Sequence, residues 1–226
     1  MAIDKFLHLI SSSSLWFSRC DYFEDGWEGH YSDATYDTFS KSSKRPEAET
    51  QNSWGWIQNL NHVCRNYLHI NCWHINEDES AALWQIHSTS GKSVAIKTSV
   101  GRLRDAIADT DMSIYGGRVR YLDYAKEVMP MENIFTPYLR KRRSFFFENE
   151  LRLIYWNSAL MPSGENMAET DLPAGVAVPV KLDSLIETVY ISPQADRYLH
   201  DALTVLLEKF GLSAKIVQSN LFAAPK

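Results

Sequence analysis

The stretch Ser144-Phe-Phe-Phe-Glu-Asn-Glu-Leu-Arg-Leu-Ile-Tyr-Trp156 constrains this chain most, because it follows directly on the cation run Arg140-Lys-Arg-Arg143. Its aromatic and branched residues predict a strand, in which side chains alternate between two faces. Phe147, Asn149, Leu151 and Leu153 then take one face, and Glu148, Glu150 and Arg152 take the other. Two carboxylates and a guanidinium in a row are costly to bury and unnecessary for folding. A solvent-facing strand laced with ion pairs is the plain reading, since half-exposed sheets carry such faces. The adjoining cations and the upstream motifs favour a functional site.

A chain of 226 residues is long enough for one sizeable core or two small ones. The net charge of −5 argues against a general coat of phosphate-binding charge, so any phosphate contact must be local. The first ten residues carry Asp4 and Lys5, and their apolar run is short for a secretory leader. No segment reaches the length of a membrane span. With three cysteines, an odd number, the expectation is a cytoplasmic protein with reduced thiols and no membrane partner.

Helices are expected at Asp4–Ile10, Trp54–Tyr67, Glu77–His87 (capped by Asn76 or Asp78), Val100–Ala108 and Pro193–Phe210, the last stopped by Gly211. Another helix is expected to start at Glu132 and carry the cation run to Arg143. Strands are expected at Leu15–Arg19, Ile70–His74, Ser93–Thr98, Arg118–Tyr124, Val176–Val180, Thr188–Ile191 and Lys215–Val217. The polar segment Glu24–Gln51 reads as a long loop or a pair of surface helices, and as the most mobile part. Irregular alternation without a repeated βαβ unit predicts one α+β domain over residues 1–226, with a mixed, largely antiparallel sheet flanked by helices.

Four constellations carry chemistry. Strand Trp16–Arg19 runs into a glycine-bearing turn that gathers Asp21, Asp25 and Glu28, either as turn formers or as a carboxylate cluster at a sheet mouth. His62, Cys64, Cys72 and His74 are zinc-ligand types, yet Cys-x-His on a strand is not the usual knuckle. Cys72 is therefore read as a small buried apolar residue and His74 as a strand-end polar group, with no metal site assigned. Ser88-Thr-Ser-Gly-Lys92 offers a turn or a phosphate nest, but lacks the P-loop spacing. Lys141 and Arg142 suit either a solvated helix end or a phosphate patch.

Taken together, the blocks Lys5–Ile10, Leu15–Asp21 with Trp27-Glu-Gly29, Asn71–Asn76 with Glu79–Trp84, Val119–Tyr124, Lys141–Phe145 with Glu148–Arg152, and Ser219-Asn-Leu221 resemble a bacterial and archaeal family, the domain of unknown function 2971. They run in the family's order across nearly the whole chain. The family's first acidic turn usually carries proline before Phe-Glu, where this chain has Gly26. The resemblance implies a fold and site positions, but no reaction.

A looser resemblance is to arginine-specific ADP-ribosyltransferases, which carry an arginine on an early strand, then Ser-Thr-Ser, then Glu-x-Glu. Arg19, Ser88-Thr-Ser90 and Glu148-Asn-Glu150 follow that order. The resemblance implies that Arg19 grips the pyrophosphate of NAD, that Ser88 supports the nicotinamide pocket, and that Glu150 holds the ribose and stabilises an oxocarbenium-like centre. The leading expectation is an enzyme or binding domain for a phosphate-containing nucleotide, with NAD as a substrate and no metal. Glu148 and Glu150 would be catalytic, and Arg19, Asp21, Glu28, Ser88, Lys141, Arg142 and Arg152 would bind substrate. One alternative is a metal-dependent phosphodiesterase or nuclease, with Asp21, Asp25, Glu28, Glu148 and Glu150 holding Mg²⁺. Another is a non-enzymatic module that docks a protein or a nucleic-acid backbone, with Trp54, Trp56 and Tyr67 as anchors, although core packing is the commoner use of such residues. Strand periodicity and the adjoining cations predict that Glu148, Glu150 and Arg152 share a strand face near Lys141 and Arg142, with the acidic turn close by to supply counter-charge.

Overall fold

The computed structural model describes residues 1–42, 47–88, 91–157 and 172–225, and side chains except at 42 and 47–54. In chain order the regular elements are α1 (Ile3–Ser12), β1 (Ser14–Arg19), α2 (Asp33–Ser42), α3 (Glu47–Arg65), β2 (Leu68–His74), α4 (Ala81–His87), β3 (Val94–Lys97), α5 (Val100–Ala106), β4 (Ile114–Arg118), β5 (Arg120–Leu122), β6 (Arg140–Arg142), β7 (Glu150–Trp156), β8 (Gly175–Pro179), α6 (Leu182–Leu185), β9 (Thr188–Ile191), α7 (Arg197–Lys209) and β10 (Lys215–Gln218). The fold class is α+β: a largely antiparallel five-stranded sheet, ordered β4-β7-β2-β1-β8, and smaller three- and two-stranded sheets. Among the described residues no helix is long and apolar enough to cross a membrane.

The chain divides into two compact units. The first comprises Met1–Trp16, Asn76–Met112 and Ala177–Lys226. Its sheet, ordered β10-β9-β3, pairs β9 parallel to β10 and antiparallel to β3. Helix α1 forms because Phe6, Leu9 and Ile10, spaced i, i+3 and i+4, give it one buried stripe. Helix α7 buries Leu203 and Leu207 in the same way and ends at Gly211, whose φ of +68° suits glycine. Helix α4 starts later than its sequence suggests. Ser80 is its cap and accepts from the Leu83 N–H, whereas Asn76 bonds only the N–H of Glu77.

The second unit comprises Phe17–Ile75 and Ser113–Val176. Strand β7 is an interior strand, antiparallel to β2 on one side and to β4 on the other. Ile154 lies opposite Ile70 and joins Leu68, Cys20, Cys64 and Tyr138 in a buried cluster. Glu150 and Arg152 precede Ile154 at intervals of two and so lie on that same inward face. The plain reading of a solvent-facing charged strand is therefore corrected: Arg152 is 1% exposed and Glu150 is buried.

Three further expectations are corrected here. The strand does not start at Ser144; residues Arg143–Glu148 form a 3₁₀ helix that ends at Asn149, in the left-handed region at φ 39°. Asparagine tolerates that conformation, so the chain turns sharply between Glu148 and Glu150. The cation run is no helix end but strand β6, parallel to β5, with Lys141 opposite Tyr121. The expected strand Arg118–Tyr124 is two short strands, β4 and β5, that meet at the buried Val119. The polar segment holds α2 and the start of α3, in line with the paired-helix alternative.

Candidate functional site

The site lies in the second unit, where the acidic turn meets β6 and β7. Arg152 uses all five of its N–H donors. Nη1 and Nη2 donate to the two carboxylate oxygens of Glu28 at 2.7 and 2.8 Å. Nε and Nη2 donate to Glu150 at 2.8 and 3.2 Å, and Nη1 also reaches the Tyr138 carbonyl at 2.8 Å. A guanidinium this deep is tolerated only because its donors are satisfied and its charge is matched.

Lys141 supplies the second cation. Its Nζ donates to Glu148 at 2.5 Å and to Glu150 at 3.1 Å, and lies 3.2 Å from Glu28. Three carboxyl groups thus meet two cations, which leaves one excess negative charge. The Glu150 backbone is pinned as well: its N–H donates to the Tyr121 hydroxyl at 3.0 Å, and its carbonyl accepts from Val119. Glu148 is fixed through its carbonyl, which accepts from His74 Nδ1 at 2.6 Å.

The two neighbouring glutamates differ in protonation. Burial raises Glu148 to about 7, and its hydrogen bond to Glu150 adds to the rise. Burial alone would raise Glu150 too, but the hydrogen bonds and charge of Arg152, with Lys141 behind, hold it well below the usual carboxylate range. One proton on Glu148 neutralises the cluster, so charge count and pKa direction agree. The Glu148 side chain is 25% exposed, against 7% for Glu150.

An open pocket of about 530 Å³ adjoins the turn, lined by Glu24, Asp25, Gly26, Trp27, Arg142 and Phe145. Arg142 donates to Asp25 at 2.8 Å, and its guanidinium lies 5.8 Å from the Trp27 ring and 5.4 Å from the Phe145 ring. Lys141 Nζ lies 4.7 Å from the same Phe145 ring. Phe145 thus spans the buried cluster and the pocket. The turn can bury Glu28 because Gly29, at φ +77°, packs against the Tyr138 ring; a Cβ there would sit 2.5 Å from Cε1.

The structure therefore brings together Glu28, Lys141, Glu148, Glu150 and Arg152, with Arg142 beside them. Arg19 and Asp21 make a separate bidentate pair at 2.7 and 2.9 Å, and Arg19 also donates to the Leu172 carbonyl. Ser88 lies in the first unit, where its hydroxyl meets that of Ser192 at 2.8 Å. Thr89 and Ser90 fall outside the described residues, as does the Trp54 side chain. Cys72 lies opposite Arg152 in the β2–β7 pair, so its thiol faces the Glu150–Arg152 cluster, and burial there pushes the thiol well above its ordinary value, although the residue as a whole is exposed at the end of the strand. Tyr67 is a core residue, 2% exposed, which is the commoner of its two expected uses. Among the described residues no group of three or more His, Cys, Asp or Glu side chains is arranged to hold a metal ion.

Trp27, Phe145 and Tyr121 were not singled out from sequence. An exposed tryptophan inside an acidic, glycine-bearing turn is the signal that points to the first. No family model, no curated protein and no solved structure matches this chain.

Proposed function

We propose that the second unit cleaves an N-glycosidic bond in a phosphate-containing nucleotide, with NAD as the most concrete substrate and an ADP-ribosyltransferase-like or hydrolytic outcome. The observation that carries this reading is the Glu148–Glu150 pair. Adjacent carboxyls whose environments push their protonation apart are the usual acid–base arrangement. Glu148 is the partner that a ligand can reach, and its pKa near 7 lets it take a proton from an incoming hydroxyl or guanidine group at neutral pH. With Glu148 deprotonated, as a base must be, the cluster carries one negative charge, which favours the oxocarbenium-like centre that forms as nicotinamide leaves with the bonding pair. Arg142, 39% exposed at the pocket, is the cation available to a phosphate. Glu150 and Arg152 then act behind the reacting group, as the ions that set the Glu148 proton.

Kinship with the domain of unknown function 2971 is part of the same proposal and rests on the ordered sequence blocks alone. A cytoplasmic location accords with Cys20, Cys64 and Cys72, all free thiols. The test is nicotinamide release from NAD, followed by chromatography. Turnover by the native protein, with a loss of about 100-fold or more in Glu148→Gln, supports the reading. No release by the native protein, or full activity in Glu148→Gln, overturns it.

A further inference from the structure

A second pocket of about 370 Å³ lies between the acidic turn and helices α2 and α3, within the size range of small-molecule sites. Its chemistry differs from that of the first. Trp27, Tyr31 and Tyr36 supply flat apolar surface, and Gln58 and Asn61 supply amides. These two are three apart on α3, so they present side chains on one face of that helix. His30 also lines the pocket, but its Nε2 accepts from Arg65 Nη1 at 2.8 Å, which requires the neutral ring. Burial and the Arg65 charge lower its pKa in the same direction. Ser32 is spent within the protein, on the Thr35 hydroxyl and the Glu127 carbonyl. Among the described residues Asp33 is the one acidic side chain at this pocket, and no lysine or arginine lines it. Such walls reject phosphate and accept an uncharged plane: aromatic faces stack on it, the amides donate and accept at its edge, and Asp33 accepts from an amino or amide N–H.

Trp27 lines both pockets. The geometry points to the second pocket as a binding subsite for an uncharged planar ring that carries an amino or carboxamide group, a nucleobase or released nicotinamide, next to the Arg142 pocket. The identity of the ligand rests on the proposed nucleotide reading; the lining residues do not involve Glu148. In this arrangement Trp27 is the shared wall, and a nucleotide would place its ring on the Tyr36 side and its phosphate on the Arg142 side.

The probes are adenosine and nicotinamide, which lack phosphate, titrated calorimetrically into the full chain. Tyr36→Ala and Gln58→Ala are suitable variants because both side chains are exposed, and melting curves check that each folds. Tyr198→Ala, at an 84%-exposed position of the first unit, is the control. Binding of at least one probe should weaken about tenfold in Tyr36→Ala and measurably in Gln58→Ala, and stay unchanged in the control. If neither probe binds the native protein, or if binding ignores Tyr36 and Gln58, the subsite is wrong. Should NAD turnover persist with that result, the glycosidic reading stands and only the ring's location fails. Should ring binding depend on Tyr36 while NAD is not turned over, the subsite stands and the reaction fails.

Discussion

Arg152→Met keeps most of the side-chain volume of a residue that is 1% exposed, and removes only its charge and donors. Glu28 then loses two hydrogen bonds and retains Lys141 at 3.2 Å; Glu150 loses two and retains the same ammonium at 3.1 Å. The Tyr138 carbonyl loses a donor as well. Three carboxyl groups are left on one cation. Breaking a buried pair in this way costs about 3–5 kcal/mol. For a chain of this size, about 2–4 °C per kcal/mol translates that into a Tm loss of about 6–20 °C. Urea unfolding at pH 7 and pH 5 is the assay. Protonation of the stranded carboxyls relieves the repulsion, so the deficit should shrink at pH 5. A loss under about 1 kcal/mol at pH 7, or a deficit that grows as pH falls, would refute the view that this guanidinium holds the inward face of β7 together.

Gly29→Ala should destabilise by about 2–5 kcal/mol, since it forces a left-handed alanine against the fully buried Tyr138 ring; thermal melting checks it. Glu150→Gln should lose both activity and several degrees of Tm, because its carboxylate is bound by Arg152 and Lys141, whereas Cys72→Ser should lower stability by less than about 1 kcal/mol, because its hydroxyl can replace the thiol as a donor to Glu150. Glu148 is raised from 4.5 to about 7, so the native state holds a proton that the unfolded state has released. Its contribution is complete below pH 4.5 and is lost as pH rises through 7, and Glu148→Gln should flatten that part of a stability–pH curve. His69 has the opposite sign. Burial, then Arg19, lowers its pKa below 6.5, and neither ring nitrogen has a partner. Its contribution is present above pH 6.5 and lost as pH falls, a slope that His69→Phe should remove in unfolding measured from pH 7.5 to 5.

Strand periodicity was enough to put Glu150 and Arg152 on one face, and the charge pattern was enough to call the acidic turn towards them. Which face is buried was not legible, because the answer depends on Glu28 and Lys141, far from Arg152 along the chain. Burial reads as impossible until those counter-charges are in place. Alternation through Asn149 carries Glu148 into the strand; only the left-handed backbone of Asn149 shows the break. The cation run follows a helix-like stretch, and its pairing with Arg120–Leu122 is a tertiary contact that local propensity does not carry. The ring-lined pocket was invisible for a related reason: Trp27, Tyr36 and Gln58 come from three separate elements and form no motif.

The split protonation of Glu148 and Glu150 is tested most directly by a carboxyl-carbon NMR titration of protein labelled at glutamate, with Glu148→Gln used to assign the resonance. A Glu148 midpoint near 7, with Glu150 ionised throughout the accessible range, is the expected result. A Glu148 midpoint near the ordinary 4.5 would contradict it, and would leave the cluster a structural ion network without an acid–base group.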